Sequence, residues 1–151
     1  MFASLLKRLT QTNPDTLPDD DARLALTALL VRIAKSDGTY GAEEIARIDQ
    51  ITARRYGLNP VTAAQLRARA EVLENEAPDT VRFTRAIKDA VPFDDRAGVV
   101  EALWDIVLAD GTRDSHEDQL LRLIAPMLGL TDPDSANARR RAEARRGLTQ
   151  P

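Results

Sequence analysis

The chain has 151 residues, with 21 lysine and arginine residues against 24 aspartate and glutamate residues, so its formal charge at pH 7 is -3. It contains no cysteine, which excludes disulfides, thiolate zinc sites and iron–sulfur clusters. The small acidic excess offers no overall field for nucleic acid, and no apolar stretch approaches the ~18 residues of a membrane span. We therefore expect a cytoplasmic protein with no transmembrane segment and no nucleic-acid partner.

Apolar residues recur at helical spacing through most of the chain, and glycines and prolines separate the resulting segments. A short amphipathic helix is expected over Met1 to Thr10, followed by a linker that ends near Asp21. The later predicted helices are 22–36, one that runs through Ile45 to Tyr56, 62–76, 80–91, one that follows the break at Pro92, opens near Asp94-Asp95 and runs to Ala109, 120–128 and about 134–146. No segment alternates apolar and polar residues as a strand would. The predicted fold class is all-α, a compact bundle of about seven to eight helices.

The helix that ends at Ala109 carries the best candidate core face, formed by Val100, Leu103, Trp104, Val107 and Leu108. Trp104 is therefore interpreted as a core residue rather than a ligand platform. The last helix is polar and rich in arginine, and we expect it to be solvated and to fray. These features predict a short N-terminal segment, one main helical domain and a polar C-terminal segment, with bounds 1–21, 22–133 and 134–151.

Two stretches of the chain resemble one another. Asp37-Gly38-Thr39 followed by Glu44 recurs, at the same spacing, as Asp110-Gly111-Thr112 followed by Glu117. Further identities in the flanking helices are Leu30 with Leu103, Ile33 with Ile106 and Ile51 with Ile124. The repetition predicts two helix-turn-helix pairs that are related by an approximate internal twofold.

An apolar helix that ends in Asp-Gly, a short turn and a helix that opens with Glu, occurring twice between Leu24 and Leu130, resembles the TerB tellurite-resistance family. Related domains occur in some J-domain chaperones. The resemblance implies an all-helical accessory protein linked to tellurite resistance and stress response, with metal binding as one implied role and no known catalysis. The two copies differ just before their second helix, where the first copy has Gly41 and the second has Asp114-Ser115. A site shared between the turns would therefore receive different side chains from each copy.

The turns invite comparison with a calcium loop, because Gly38 and Glu44 have the spacing of the invariant glycine and the bidentate glutamate of an EF-hand. The comparison fails, since the first and third loop positions fall on Ile33 and Lys35, which supply no carboxylate. If the internal twofold brings both turns together, their carboxylates would form one acidic patch of oxygen ligands suited to Ca²⁺ or Mg²⁺. The candidate metal ligands are Asp37, Glu43, Glu44, Asp110, Asp114, Glu117 and Asp118.

Helix capping offers an alternative interpretation of both turns, in which glycine takes a positive φ and Glu completes a capping box. The chain would then be a purely structural interaction module without metal. A metal-assisted hydrolase is a third alternative, disfavoured because carboxylates at exposed helix ends do not acquire well-separated pKa values. The preferred hypothesis is a non-enzymatic accessory protein whose acidic patch binds a divalent cation or a protein partner, for example in a membrane-associated stress complex.

Overall fold

The computed structural model describes residues 5–6, 19–36, 38, 40–109, 115–145 and 147. Within them the chain forms seven helices and no strand, which confirms the all-α fold class. The helices are α1 (Asp19–Ala34), α2 (Ala42–Tyr56), α3 (Pro60–Glu76), α4 (Thr80–Ala90), α5 (Phe93–Ala109), α6 (Ser115–Met127) and α7 (Asp132–Arg145). None of these helices combines the length and the apolar character that crossing a bilayer requires.

Local capping residues explain where the central helices begin and end. Gly57 closes α2 with a φ of 65°, in the left-handed region that favours glycine. Asn59 caps α3, because its Oδ1 accepts a hydrogen bond of 2.8 Å from the Thr62 amide. The helix therefore starts at Pro60 rather than at the predicted Thr62, since proline is well suited to the first position of a helix. Asp79 caps α4 in the same way through the amide of Arg82, at 3.0 Å.

The hydrophobic core is centred on α1 and α5. Every residue of α1 from Leu24 to Val31 is buried, so this helix is enclosed on all sides. Its most extensive contacts are with α3, whereas those of α5 are with α7. Four of the five predicted core residues of α5 are buried and Leu108 packs partly buried against them, which confirms the predicted core face.

The last helix differs from the expectation of a solvated, fraying segment. Ala138 and Ala142 of α7 are fully buried against the core, and Trp104 donates a hydrogen bond from Nε1 to the Ser135 Oγ at 3.2 Å. The Arg139 guanidinium lies 5.0 Å from the centroid of the Trp104 ring. Alanines contribute little to an apolar stripe, yet they let two helices approach closely. For this reason hydropathy missed the contact.

Only Leu5 and Leu6 of the predicted N-terminal helix fall among the described residues, and both are helical. Leu5 is 4% exposed and belongs to the core, so this part of the chain packs against the domain. The rest of that helix, and the linker up to residue 18, lie outside the described residues.

Equivalent positions of the two predicted repeats share some features. Gly57 and Gly129 both have a positive φ, 65° and 82° respectively, and each is followed by a leucine. In each half, the first helix makes its main contacts with the helix that follows the second, α1 with α3 and α5 with α7. The internal twofold itself stays a prediction.

Candidate functional site

The first acidic turn follows α1. Gly38 has a φ of 83°, and its amide donates a hydrogen bond of 3.0 Å to the carbonyl oxygen of Lys35. The positive φ agrees with the capping interpretation of this glycine. Asp37 lies outside the described residues, so its place in a cation site stays a prediction.

The two glutamates at the start of α2 have different environments. Glu44 accepts a hydrogen bond from the Gly41 amide on its Oε2, at 3.0 Å, and so forms the glutamate half of a capping box. Glu43 is exposed and forms no ion pair with any described residue. One carboxylate of this turn is therefore engaged in capping, while its neighbour faces solvent.

The second acidic turn is mostly beyond what the structure describes. Asp110 and Asp114 lie outside the described residues. Glu117 and Asp118 belong to α6, but their side chains are also outside the described part. Among the residues that are described, no group of three or more histidine, aspartate or glutamate side chains is placed to hold a metal. The seven-carboxylate set stays a prediction.

Contacts with α3 anchor the first turn on both sides. Before it, Lys35 Nζ lies 3.4 Å from the Glu74 carboxylate. After it, the Tyr40 hydroxyl donates a hydrogen bond of 2.6 Å to Glu71 Oε2, while Arg67 Nη1 pairs with the other oxygen of that carboxylate at 3.2 Å. Burial and then the neighbouring Glu71 raise the pKa of Tyr40 above its usual range. The phenol therefore stays protonated and keeps donating at physiological pH.

A second feature is a cleft at the opposite end of α1, which we call the arginine cleft. It has a volume of about 450 Å³ and is lined by the start of α1, the end of α2, the first half of α5 and the end of α7. Its charged lining residues are Arg23, Arg54, Arg55, Arg145, Asp95 and Glu101. A smaller cavity of about 310 Å³ adjoins it through shared residues and adds Arg47 and Asp105.

Two of the cleft arginines are neutralised by carboxylates. Arg54 Nη2 lies 3.1 Å from Oδ2 of the buried Asp105, and Arg145 Nη1 lies 2.7 Å from Glu101 Oε1. These ion pairs connect α2 and α7 to α5. The cleft is therefore built from side chains that also fix the relative positions of three helices.

The other two arginines are held by an aromatic ring instead. The guanidinium carbons of Arg23 and Arg55 lie 4.9 and 5.9 Å from the centroid of the Tyr56 ring. Neither arginine forms an ion pair with any described residue. Contacts between a guanidinium and a ring orient the cation but leave its charge intact. These two positive charges remain available in the cleft.

No sequence pattern marks this cleft, because its arginines come from three helices that are far apart in the chain. Arg145, for example, belongs to the arginine-rich last helix, whose composition predicts a solvated segment. One local signal existed, namely Gly98 in the interior of α5, where glycine costs about 1 kcal/mol relative to alanine. A Cβ at Gly98 would lie 1.6 Å from Arg55 Nη2, so the missing side chain makes room for that guanidinium.

Comparison with known proteins gives one family. No curated protein and no solved structure matches the chain significantly. The model of the family described as "Tellurite resistance protein TerB" matches residues 23–140. The match extends from the second turn of α1 into α7 and so includes more than half of the last helix, which hydropathy alone sets apart. Because it covers most of the chain, this protein belongs to the TerB family.

Proposed function

We propose that this protein is a non-enzymatic accessory protein of tellurite resistance that binds one divalent cation, Ca²⁺ or Mg²⁺, between the acidic turns that follow α1 and α5. The direction of the two helices supports the proposal. Ala22 and Arg23 near the start of α1, and Asp95 and Gly98 near the start of α5, line the same cleft. The N-terminal parts of both helices therefore lie at the cleft, and the acidic turns follow the C-terminal ends of the same two helices.

The chemistry of the turns also favours a hard cation. The candidate ligands are all carboxylates, and oxygen donors are what Ca²⁺ and Mg²⁺ prefer. Glu43 is exposed and carries no competing ion pair within the described part of the chain. Glu44 uses one oxygen for the cap, so its other oxygen is free to coordinate. Carboxylates that approach one another without a counter-ion repel, and a bound cation would remove that repulsion.

The test is calorimetric titration with Ca²⁺ and Mg²⁺, together with thermal unfolding. A cation at about 100 times its Kd adds about 2.7 kcal/mol to the free energy of unfolding. We expect the Asp37→Asn/Asp110→Asn variant to lose the binding heat and the ion-dependent stabilisation. Asp94→Asn is the matched control, since Asp94 is an exposed carboxylate about 22 Å along α5 from Ala109. Equal ion responses in wild type and the double variant would refute the proposal.

A second candidate function is a protein-interaction module without metal. The observation that favours it is the cap at the first turn, where Gly38 and Glu44 already have structural roles. Under this alternative the same double variant loses little stability, because Asn caps a helix about as well as Asp does. Added Ca²⁺ or Mg²⁺ would then leave the melting temperature of both proteins unchanged.

A further inference from the structure

We infer that the arginine cleft is a binding site for a small ligand that carries phosphate groups. It shares no residue with the proposed cation site, because its lining residues come from the start of α1, the end of α2, α5 up to Ala102 and the end of α7, whereas the acidic turns follow the ends of α1 and α5. The inference therefore does not depend on cation binding.

The charge of the cleft is opposite to that of the whole chain. Its two adjoining cavities are lined by five arginines, from Arg23 to Arg145, against three carboxylates. The formal charge of the chain is -3. A concave surface with a net positive charge attracts anions. A volume of about 450 Å³ also lies within the range of small-molecule sites. The cleft thus favours a small anion over an extended polymer.

The two uncompensated arginines are held in place before any ligand binds. The Tyr56 ring supports both, and Arg55 additionally lies against the backbone of α5 at Gly98. Burial raises the pKa of Tyr56, so its phenol stays neutral and does not cancel their charge. Groups held in their bound geometry lose less conformational entropy on binding. These contacts therefore reduce the conformational entropy that Arg23 and the exposed Arg55 would lose on binding an anion.

Phosphate fits these groups better than a carboxylate does. The planar guanidinium donates parallel hydrogen bonds to two phosphate oxygens. A phosphate dianion also matches two unpaired arginines, whereas a carboxylate carries only one charge. Asp95 lines the same cleft and forms no ion pair with any described residue, so it would accept hydrogen bonds from ligand hydroxyl groups. Alcohol hydroxyl groups occur on phosphate esters such as nucleotides and are absent from pyrophosphate.

The experiment is isothermal titration with pyrophosphate and with ADP, in low salt and without divalent cations, so that the acidic turns do not contribute. We expect Arg23→Gln and Arg55→Gln each to weaken binding at least about tenfold, the value of one charge-assisted hydrogen bond. The matched control is Arg85→Gln, since Arg85 is exposed on α4 and lines neither cavity. It should change the affinity less than about twofold. Tighter binding of ADP than of pyrophosphate would identify the ligand as a phosphate ester. Equal or tighter binding of pyrophosphate would identify it as a free phosphate.

Gly98→Ala supplies a second test that leaves every charge in place. The added Cβ displaces the Arg55 guanidinium, while alanine favours the helix. We expect a variant that melts no lower than wild type and yet binds pyrophosphate several-fold more weakly. The inference is overturned if neither probe binds at millimolar concentration, if Arg85→Gln weakens binding as much as the cleft variants, or if Gly98→Ala binds like wild type.

Discussion

Arg32 is the residue whose replacement tests the packing of α1 on α3 most sharply. Its Nη2 donates to the carbonyl oxygen of Glu74 at 3.0 Å, and its Nη1 donates to that of Pro78. Its Nε lies 3.6 Å from the Glu74 carboxylate, whose side chain is only 9% exposed. The guanidinium also lies 5.5 Å from the centroid of the Phe83 ring. Arg32 thus neutralises a buried acid and caps the carboxyl end of α3.

The change Arg32→Met keeps the apolar stem of the side chain and removes every one of these polar contacts. Loss of one partner from a buried ion pair typically costs about 3–5 kcal/mol. Here Lys35 Nζ remains 3.4 Å from the Glu74 carboxylate, which places the expected cost at the lower end, about 3 kcal/mol. For a domain of this size such a loss lowers the melting temperature by about 6–12 °C.

Urea and thermal unfolding measure this cost, with Arg85→Met as the control for the loss of an exposed arginine. The control should lie within about 0.5 kcal/mol of wild type. In the Arg32→Met background, Glu74→Gln should recover part of the stability, because it removes a buried carboxylate that only Lys35 still neutralises. The two changes should couple by about 1 kcal/mol or more. A loss as small as that of the control, or strictly additive effects, would refute the reasoning.

Three further changes test the fold. Ala142→Asp should cost at least about 2 kcal/mol in urea unfolding, because Ala142 is fully buried, while Ala144→Asp on the exposed face should cost little. Gly57→Ala should lower the free energy of unfolding by about 1 kcal/mol, because alanine is strained at a positive φ. Nothing lies within 4 Å of the added Cβ, so a steric clash adds nothing to this loss. Unchanged stability would contradict the left-handed cap. The pKa values of the Tyr40 and Tyr56 phenols are higher in the folded protein than in the unfolded chain. The two neutral phenols therefore stabilise the fold fully below about pH 10, the unfolded pKa, and this stabilisation is lost as pH rises towards the folded pKa values. In urea unfolding, the stability of Tyr40→Phe should therefore fall less between pH 9 and pH 11 than that of the wild type. An equal fall in both proteins would contradict a raised pKa of Tyr40.

Much of the helical architecture follows from local signals in the sequence. Predicted helix ends near Gly57, Pro78 and Pro92 lie within about two residues of those in the structure, because backbone constraints at glycine and proline act locally. The buried face of α5 was also predictable, since its large apolar residues recur at helical spacing. The role of α7 was not, because the contact depends on alanines that hydropathy hardly distinguishes from surface residues.

The two candidate sites differ in what the sequence reveals of them. The acidic turns stand out because the repeated Asp-Gly-Thr and the following Glu are close in the chain. The arginine cleft has no such pattern, since Arg23 and Arg55 meet at Tyr56 only after α1 and α2 have packed together. Long-range side-chain contacts of this kind depend on helix orientation, which hydrophobic periodicity does not specify.

The sharing of one cation by both acidic turns is tested most directly by nuclear magnetic resonance with substoichiometric Mn²⁺, which takes the same oxygen ligands and broadens the signals of nearby amides. We predict that amides of residues 37–44 and 110–118 broaden together, and that excess Ca²⁺ restores both sets of signals. Broadening at one turn alone, or broadening spread over exposed carboxylates that Ca²⁺ does not reverse, would contradict a shared site.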